Sequence, residues 1–395
     1  KTGVPTNRML ISATHTHSSA TMAPVFQSDP DPAYLETLPE RIAEGLATAY
    51  HNLERAEWGW GMGSDPTHVF NRRWQVKDGE SYENPFGVTT DRAWMNPGIN
   101  NAKVSEPTGP VDPQVAVLAV RSAKDKRPLA VLANYSLHYV GGNPPISADY
   151  FAAFANEMSR LLSASDDRYT GKAPFVGIMS NGTSGNINNV NFAATVPAGR
   201  LRAGQRIQEV ATSVSEAAMK VFAKMQWQDH LTLDARETVL DLKVRKANAE
   251  ELAAARQTLE TGVKDKDGQW SDRKAIYARE TVLLDVYPQS MPVILQAYRI
   301  GDLAITSIPC EVFVEIGLDI RKTSPFPGSF TVSLANGYNG YLPTKEHHAL
   351  GGYETWRARS SYLEVPAAEK ITAQLKTMLT ELKSSGETAP KVSAN

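Results

Sequence analysis

The chain has 395 residues, 42% of them hydrophobic, and its 41 Lys and Arg against 43 Asp and Glu leave a formal net charge of -2. Such a chain can bury a large core, and without a long basic run it does not match nucleic acid or an anionic membrane surface. The single cysteine excludes an intrachain disulfide and a cysteine-rich zinc cluster, and no apolar run approaches the ~18 residues of a transmembrane helix.

The first informative stretch is residues 9–19, MLISATHTHSS. Its apolar start predicts a buried strand that delivers His15 and His17 at the carboxyl edge of a sheet, where ligands bind in open α/β folds. In the loop past the strand, one histidine can hold a metal while the other faces substrate, although two surface histidines that cap a strand fit the pattern as well. A central strand normally has strands before it, so we expect the chain to begin inside a fold.

Hydrophobic periodicity predicts the elements in chain order. The first half contains a helix packed on the sheet at 33–53, a strand at 56–62, a long loop at 77–110, a hairpin of strands at 115–120 and 129–133, a helix at 150–162 and a strand at 175–179. The second half contains a helix at 200–225, a strand at 232–244, two charged helices within 246–284, a hairpin at 292–308, a helix at 313–322, a strand at 330–334 and a helix at 367–383. The expected fold class is α/β, with mixed central sheets flanked by helices and an active site in loops at strand carboxyl ends. We expect one domain over 1–385 and a disordered tail at 386–395.

Polar loops that follow these apolar strands carry a recurring set of side chains, namely His15, His17, His138, Glu311 and Tyr341. If the strand ends share one edge, imidazole, carboxylate and phenol groups meet there, and this donor set suits zinc. Taken singly, each residue has an ordinary explanation. His138 can be a satisfied core imidazole, Glu311 can complement a helix dipole and Tyr341 can pack at a rim.

Together these motifs resemble the catalytic domain of neutral ceramidases, zinc amidases that release a fatty acid from a sphingoid base. The resemblance rests on THTHS at 14–18, Asn71-Arg72, the segment around His138 with Asp149 after it, IGDLAITSIPCE at 300–311 and NGYNGYLPT at 336–344. The resemblance implies one zinc ion held by His15, His138, Glu311 and Tyr341. It also implies that His17 is an acid/base group beside the metal, that Arg72 contacts substrate and that Tyr353 is an active-site tyrosine.

Three features depart from the family pattern. Where ceramidases carry Gly-Asp-Val-Ser-Pro-Asn, with a serine regarded as catalytic, this chain has Asn188 at the serine position, and Ser184 would need a register shift to serve. The Ser-Gly-Pro that usually follows the double histidine is here Ser-Ser-Ala at 18–20. We expect the chain to lack the amino-terminal strands and the immunoglobulin-like carboxyl-terminal domain of the family. The expected partners are therefore a small-molecule or lipid substrate and either further copies of the chain or a second chain that supplies the missing strands. We expect the protein to be exported, to the periplasm or the medium.

A mechanism without the serine is available. Zinc lowers the pKa of a bound water to about 7, His17 would exchange the proton, and Tyr341, Arg72 or the amides near Asn188 would steady the oxyanion. The sequence thus predicts a zinc-dependent hydrolase that uses a metal-bound water to cleave an amide bond in an N-acyl lipid or N-acyl amino compound. One alternative is zinc-dependent hydrolysis of an ester or a sugar derivative, because the aromatic stretches at 58–60 and 338–356 suit sugar rings. The other is a noncatalytic relative that binds ligand.

Overall fold

The computed structural model describes residues 2–142, 146–195 and 202–388, without the side chains of 386–388. The strands are β1 (Ala56–Ser64), β2 (Phe70–Asn71), β3 (Arg73–Val76), β4 (Ala93–Met95), β5 (Val104–Pro107), β6 (Gln114–Ser122), β7 (Pro128–Tyr135), β8 (Val176–Asn181), β9 (Ile187–Asn188), β10 (Leu233–Lys243), β11 (Ser290–Ile300), β12 (Leu303–Ile308), β13 (Glu311–Val312), β14 (Gly328–Ser333) and β15 (Tyr341–Leu342). The helices are α1 (Pro32–His51), α2 (Asp149–Leu161), α3 (Gln205–Phe222), α4 (Ala249–Thr261), α5 (Arg273–Asp285), α6 (Val314–Thr323), α7 (Lys345–Leu350) and α8 (Ala367–Thr388). Single turns of 3-10 helix cover Thr6–Arg8, Asp167–Tyr169 and Tyr353–Thr355.

Two four-stranded mixed sheets form the centre of the fold. Their strand orders are β1-β6-β7-β8 and β10-β11-β12-β14. Each sheet contains one parallel pair, β7 with β8 and β12 with β14, and its other neighbours are antiparallel. Parallel strands end at the same edge of a sheet, so each sheet sends two adjacent loops to that edge.

The sheets pack face to face, and helices cover both outer faces. The inner layer includes Ala116 from the first sheet and Leu303, Ile305, Phe330 and Val332 from the second. On the outside of the first sheet lie apolar residues of α2 and α3, and on the outside of the second lie those of α6 and α8. The fold is therefore a mixed α/β fold of four layers, which confirms the predicted fold class.

Residues 9–11 do not form the predicted buried strand. This segment joins the second sheet only at its margin, where Ser12 makes an isolated antiparallel bridge with Ala335. The backbone N–H of Ile11 donates to the side-chain oxygen of Asn336 at 2.9 Å, and Ile11 is 44% exposed. An apolar run of three residues is compatible with a strand, but it does not determine whether strands lie on both sides of it.

Helix α1 forms where the sequence predicts a helix, but it is not packed on a sheet. The carboxylate of Asp31 caps it by accepting from the N–H groups of Ala33 and Tyr34 at 2.9 and 3.3 Å, with Pro32 at the first helical position. None of its residues is buried. Because the segment before it is not a sheet strand, the apolar side of α1 has no sheet face beneath it.

The long loop predicted at 77–110 contains two short strands. β4 and β5 flank β3 in a three-stranded antiparallel sheet. The sequence gives little sign of them because Gly, Pro and Asn interrupt any alternation. The predicted tail overlaps the end of α8 at 386–388, and 389–395 lie outside the described residues. Within the described ranges, no helix combines the length and apolar character needed to cross a bilayer.

Candidate metal centre

The predicted site residues meet at the edge where the two parallel strand pairs end. His138 follows β7, and Glu311 follows β12 and opens β13. Glu311 is the register partner of Tyr341 in the parallel pair of β13 and β15. The segment that carries His15 is held beside the end of β14, because the Ala13 N–H donates to the Leu334 carbonyl at 3.0 Å. Four distant parts of the chain thus converge on one place.

Three imidazoles and one carboxylate face a common point. The Nε2 atom of His15 lies 3.2 Å from Oε2 of Glu311 and 3.2 Å from Nε2 of His17, and Nε2 of His138 lies 3.7 Å from the same Glu311 oxygen. Each of the three histidines presents one ring nitrogen within 4.8 Å of the others. Nitrogen and carboxylate donors this close together form a candidate metal centre.

His138 is oriented from behind by the loop after β8. Its Nδ1 atom lies 2.9 Å from the carbonyl oxygen of Ser184, so Nδ1 carries the hydrogen and Nε2 keeps its lone pair toward Glu311. Burial, followed by the positive charge of Arg72, holds the pKa of His138 well below its ordinary value. The ring is therefore neutral at physiological pH, the form that binds a metal.

Glu311 provides a buried charge that needs a partner. Its Oε1 atom accepts from the Tyr338 hydroxyl at 3.3 Å, while Oε2 is buried and accepts no hydrogen bond of good geometry from any described residue. Burial alone would raise the pKa of Glu311, but His15, with Arg72 and Tyr341, lowers it below its ordinary value. A carboxylate oxygen left without a donor is costly, and a cation between it and the imidazoles would satisfy it.

The backbone around the histidines is unusual. His15 has φ of 63°, in the left-handed region that non-glycine residues rarely adopt, and Asp149 has φ of 55°. The Asp149 carboxylate accepts from the N–H groups of Val140 and Gly141, both at 2.9 Å, and so shapes the turn after His138. Strained residues of this kind concentrate at functional sites.

His17 lies on the solvent side of the centre. Its ring stacks on Tyr139, with centroids 3.8 Å apart and planes at 16°. Burial of the ring among its neighbours, followed by the charge of His15, lowers its pKa to about 4. His17 is therefore a neutral base near pH 7, and the residue is exposed enough to meet a substrate.

Arg72 lies behind the centre in a buried polar network. Its Nη2 atom donates to the Tyr341 hydroxyl at 3.1 Å and to the Gly185 carbonyl at 2.7 Å, and its Nε atom donates to Glu354 at 3.0 Å. The other oxygen of Glu354 accepts from Arg73 at 2.6 Å. Sequence reasoning missed Glu354 and Arg73. The only signal available was an acidic residue next to Tyr353 in an aromatic stretch.

The remaining predicted residues lie nearby but are engaged differently. The Tyr353 ring centroid is 5.8 Å from that of Tyr341. The Asn188 amide donates to Asn96 at 2.8 Å, and its oxygen accepts from the Val190 N–H at 2.9 Å, so both ends of this side chain are used. Its catalytic role stays a prediction.

Ser184 is not placed as a nucleophile. The residue is 2% exposed, and its hydroxyl donates to the side-chain oxygen of Asn181 at 2.7 Å. What it contributes to the centre is its backbone carbonyl, which orients His138. A seryl oxygen that is buried and already donating is not available for attack on a carbonyl.

No protein-family model and no curated protein sequence matches the chain. Among the solved structures that match it in fold are two of ceramidases. Neutral ceramidase from Pseudomonas aeruginosa superimposes with a TM-score of 0.65 at 16% identity, and the match covers 100% of this chain and 63% of that one. A ceramidase complexed with C2 gives a TM-score of 0.64 at 16% identity, with 98% and 63% covered. The chain therefore spans 63% of the length of these ceramidases, and at the level of the fold it has the architecture of neutral ceramidase, as its sequence motifs indicated.

Proposed function

We propose that the chain is a zinc-dependent hydrolase that cleaves the amide bond of an N-acyl compound. The observation that carries the proposal is the buried Glu311 oxygen, which has no good hydrogen-bond donor among the described residues and faces the Nε2 atoms of His15 and His138 at 3.2 and 3.7 Å. The fold shared with neutral ceramidase supports the same class of reaction.

The donor set fits zinc. Two imidazoles, one carboxylate and one oxygen or nitrogen donor match the ligands that zinc takes in catalytic sites. We assign His15, His138, Glu311 and Tyr341 as ligands and leave His17 for proton transfer. When bound, a zinc ion would supply Lewis acidity that activates water and polarises a carbonyl.

The residues around the centre would supply proton transfer and stabilisation of the developing negative charge. His17, neutral near pH 7 and exposed, would accept a proton from the attacking water and return it to the leaving nitrogen. The guanidinium of Arg72, which also contacts the Tyr341 hydroxyl, would donate toward the oxygen of the carbonyl as it gains charge. The C–N bond breaks, a C–O bond forms, and the products are a carboxylate and an amine.

Metal analysis together with a substrate panel tests the proposal. We expect one zinc per purified chain, hydrolysis of N-acyl substrates, loss of turnover on chelation and recovery with added zinc. Faster cleavage of matched O-acyl substrates would favour an esterase. Bound zinc without turnover on any substrate would point to a noncatalytic relative, and turnover that survives complete zinc removal would contradict the proposed mechanism.

Replacing Ser184 with alanine should leave kcat within about threefold of the native value, since its hydroxyl is not the nucleophile. The variant loses one hydrogen bond to Asn181, with an expected stability cost of about 1 kcal/mol. Steady-state kinetics with the best amide substrate measure the effect. A fall of several orders of magnitude in kcat, with the circular dichroism spectrum unchanged, would instead establish an acyl-serine route.

Replacing Arg72 with lysine should lower kcat about 100-fold with a smaller change in KM. Lysine keeps the charge next to Glu354, but it cannot reproduce the fork that reaches Tyr341 and Gly185 together. A matched control is Arg121→Lys, on the surface beside Glu57. An equal loss in both variants, or a loss confined to KM, would argue against a role for Arg72 in the transition state.

A further inference from the structure

An aromatic cavity of about 590 Å³ lies next to the candidate metal centre. Its aromatic lining consists of Phe26, Tyr82, Trp94, Tyr277, Tyr353 and Trp356. Tyr353 also contacts the centre, because its ring lies 5.8 Å from Tyr341. Tyr353 therefore belongs both to the wall of the cavity and to the surroundings of the candidate metal centre.

Three pairs of the rings that line the cavity meet edge to face. Tyr277 and Trp356 have centroids 5.6 Å apart at 82°, and Tyr353 and Trp356 have centroids 6.0 Å apart at 77°. Phe26 meets Tyr277 at 62° and 5.5 Å. A guest ring can extend this arrangement, which gives aromatic pairs an advantage over simple burial of apolar area.

Several polar atoms of the lining are already engaged by the protein. The Tyr82 hydroxyl donates to a backbone carbonyl at 2.6 Å, and the Trp356 indole N–H donates to Asp91 at 2.6 Å. The Gln27 amide makes two hydrogen bonds with the backbone of Trp270, at 2.9 and 2.6 Å. Groups occupied in this way cannot hydrogen-bond to the hydroxyls of a sugar, so this part of the lining favours an apolar body.

One cation lines the cavity on its solvent side. Arg273 is exposed, and its guanidinium lies 5.5 Å from the centroid of Trp356. It donates at 3.3 Å to the backbone carbonyl of Glu83, while the carboxylate of Glu83 pairs with Lys274 at 2.7 Å. Across the described ranges, no carboxylate forms an ion pair with Arg273. A guanidinium that is stacked on the pocket wall and outside any such ion pair can bind an anion.

From this charge and shape we infer that the cavity binds an aryl ring whose short chain ends in a carboxylate. The inference rests on the proposed hydrolase and narrows its substrates to N-acyl compounds with an aryl ring and a carboxylate on one side of the amide, as in an N-acylated aromatic amino acid. The ring occupies the cavity, the carboxylate pairs with Arg273, and the amide reaches past Tyr353 to the metal-binding side chains.

Titration of the purified full chain with two small probes tests the inference without turnover or added metal. The probes are 4-phenylbutanoate and its neutral analogue 4-phenylbutanamide, and the fluorescence of the lining tryptophans Trp94 and Trp356 reports binding. We expect the carboxylate to bind about tenfold more tightly than the amide. Arg273→Gln should erase this difference and leave the affinity for the amide unchanged. Lys274→Gln, the adjacent cation that pairs with Glu83, should keep the difference.

Other results would overturn the inference. Equal affinities for 4-phenylbutanoate and 4-phenylbutanamide in the native chain would contradict the proposed anion site. A preference for the carboxylate that survives Arg273→Gln would contradict it as well. If octanoate or methyl glucoside binds as tightly as 4-phenylbutanoate, the proposed preference for an aryl ring is contradicted. Ile276→Trp, which fills the cavity, should abolish binding of both probes, and binding that persists would place them elsewhere. A negative result in these titrations does not affect the tests for zinc and hydrolysis. Conversely, a chain that proves to contain no zinc can still bind the probes.

Discussion

Replacing Glu311 with glutamine should deprive the chain of its zinc and abolish amide hydrolysis. The carboxylate is the only buried anion that faces both His15 and His138 among the described residues, and a neutral amide binds zinc poorly. Zinc affinity should fall by more than the roughly 100-fold that loss of a group supporting the ligands typically costs. Zinc per chain after dialysis against a weak chelator, and kcat at saturating substrate, measure the two effects.

A surface glutamate provides the control for this substitution. Glu57, which lies on β1, pairs with Arg121 and Lys126, so Glu57→Gln should retain both zinc and activity. If Glu311→Gln keeps one zinc per chain and full turnover, the ligands are instead the three imidazoles of His15, His17 and His138. His17→Ala would then lose the metal, whereas our assignment expects it to keep the metal and lose only proton transfer.

Replacing Glu354 with alanine should cost about 3–5 kcal/mol in the free energy of unfolding, because it removes the carboxylate that pairs with two buried guanidinium groups. Glu354 is fully buried and bridges Arg72 at 3.0 Å and Arg73 at 2.6 Å, and Arg73 is itself fully buried. Urea unfolding followed by circular dichroism measures the loss. We expect a lowered midpoint with little change in the slope of the transition.

An exposed ion pair provides the comparison for the stability loss expected in Glu354→Ala. Lys126→Ala breaks a pair with Glu57 on the surface and should cost no more than about 1 kcal/mol. A similarly small loss in Glu354→Ala would show that the arginines find other partners or water. Glu354→Gln should lie between the two variants, since an amide oxygen still accepts a hydrogen bond from one arginine.

Local patterns in the sequence are sufficient to predict most elements of the fold. The hairpin of β11 and β12 follows from two alternating apolar runs around Gly301, and Gly301 adopts the positive φ that the turn requires. The exposure of α1 could not be predicted from the sequence. Periodicity shows which residues share a side of a helix, but not what packs against that side. The marginal position of residues 9–11 depends on contacts with Asn336, more than 300 residues later.

The candidate site was predictable only in part, for similar reasons. Polar residues after apolar strands identified His138 and Glu311, since strand ends meet at a common edge. The 3.2 Å approach of His17 to His15 depends on the left-handed backbone at His15, for which the sequence gives no sign. Glu354 was missed because its partners, Arg72 and Arg73, reach it from nearly 300 residues away.

The φ of 63° at His15 means that the best residue for the fold and the best residue for chemistry differ at this position. A left-handed histidine costs about 1 kcal/mol that glycine would not, and glycine carries no imidazole. Laboratory evolution of this chain under heat alone would therefore favour His15→Gly and yield a more stable protein without the proposed zinc ligand, whereas selection that also demands the proposed turnover would retain the histidine.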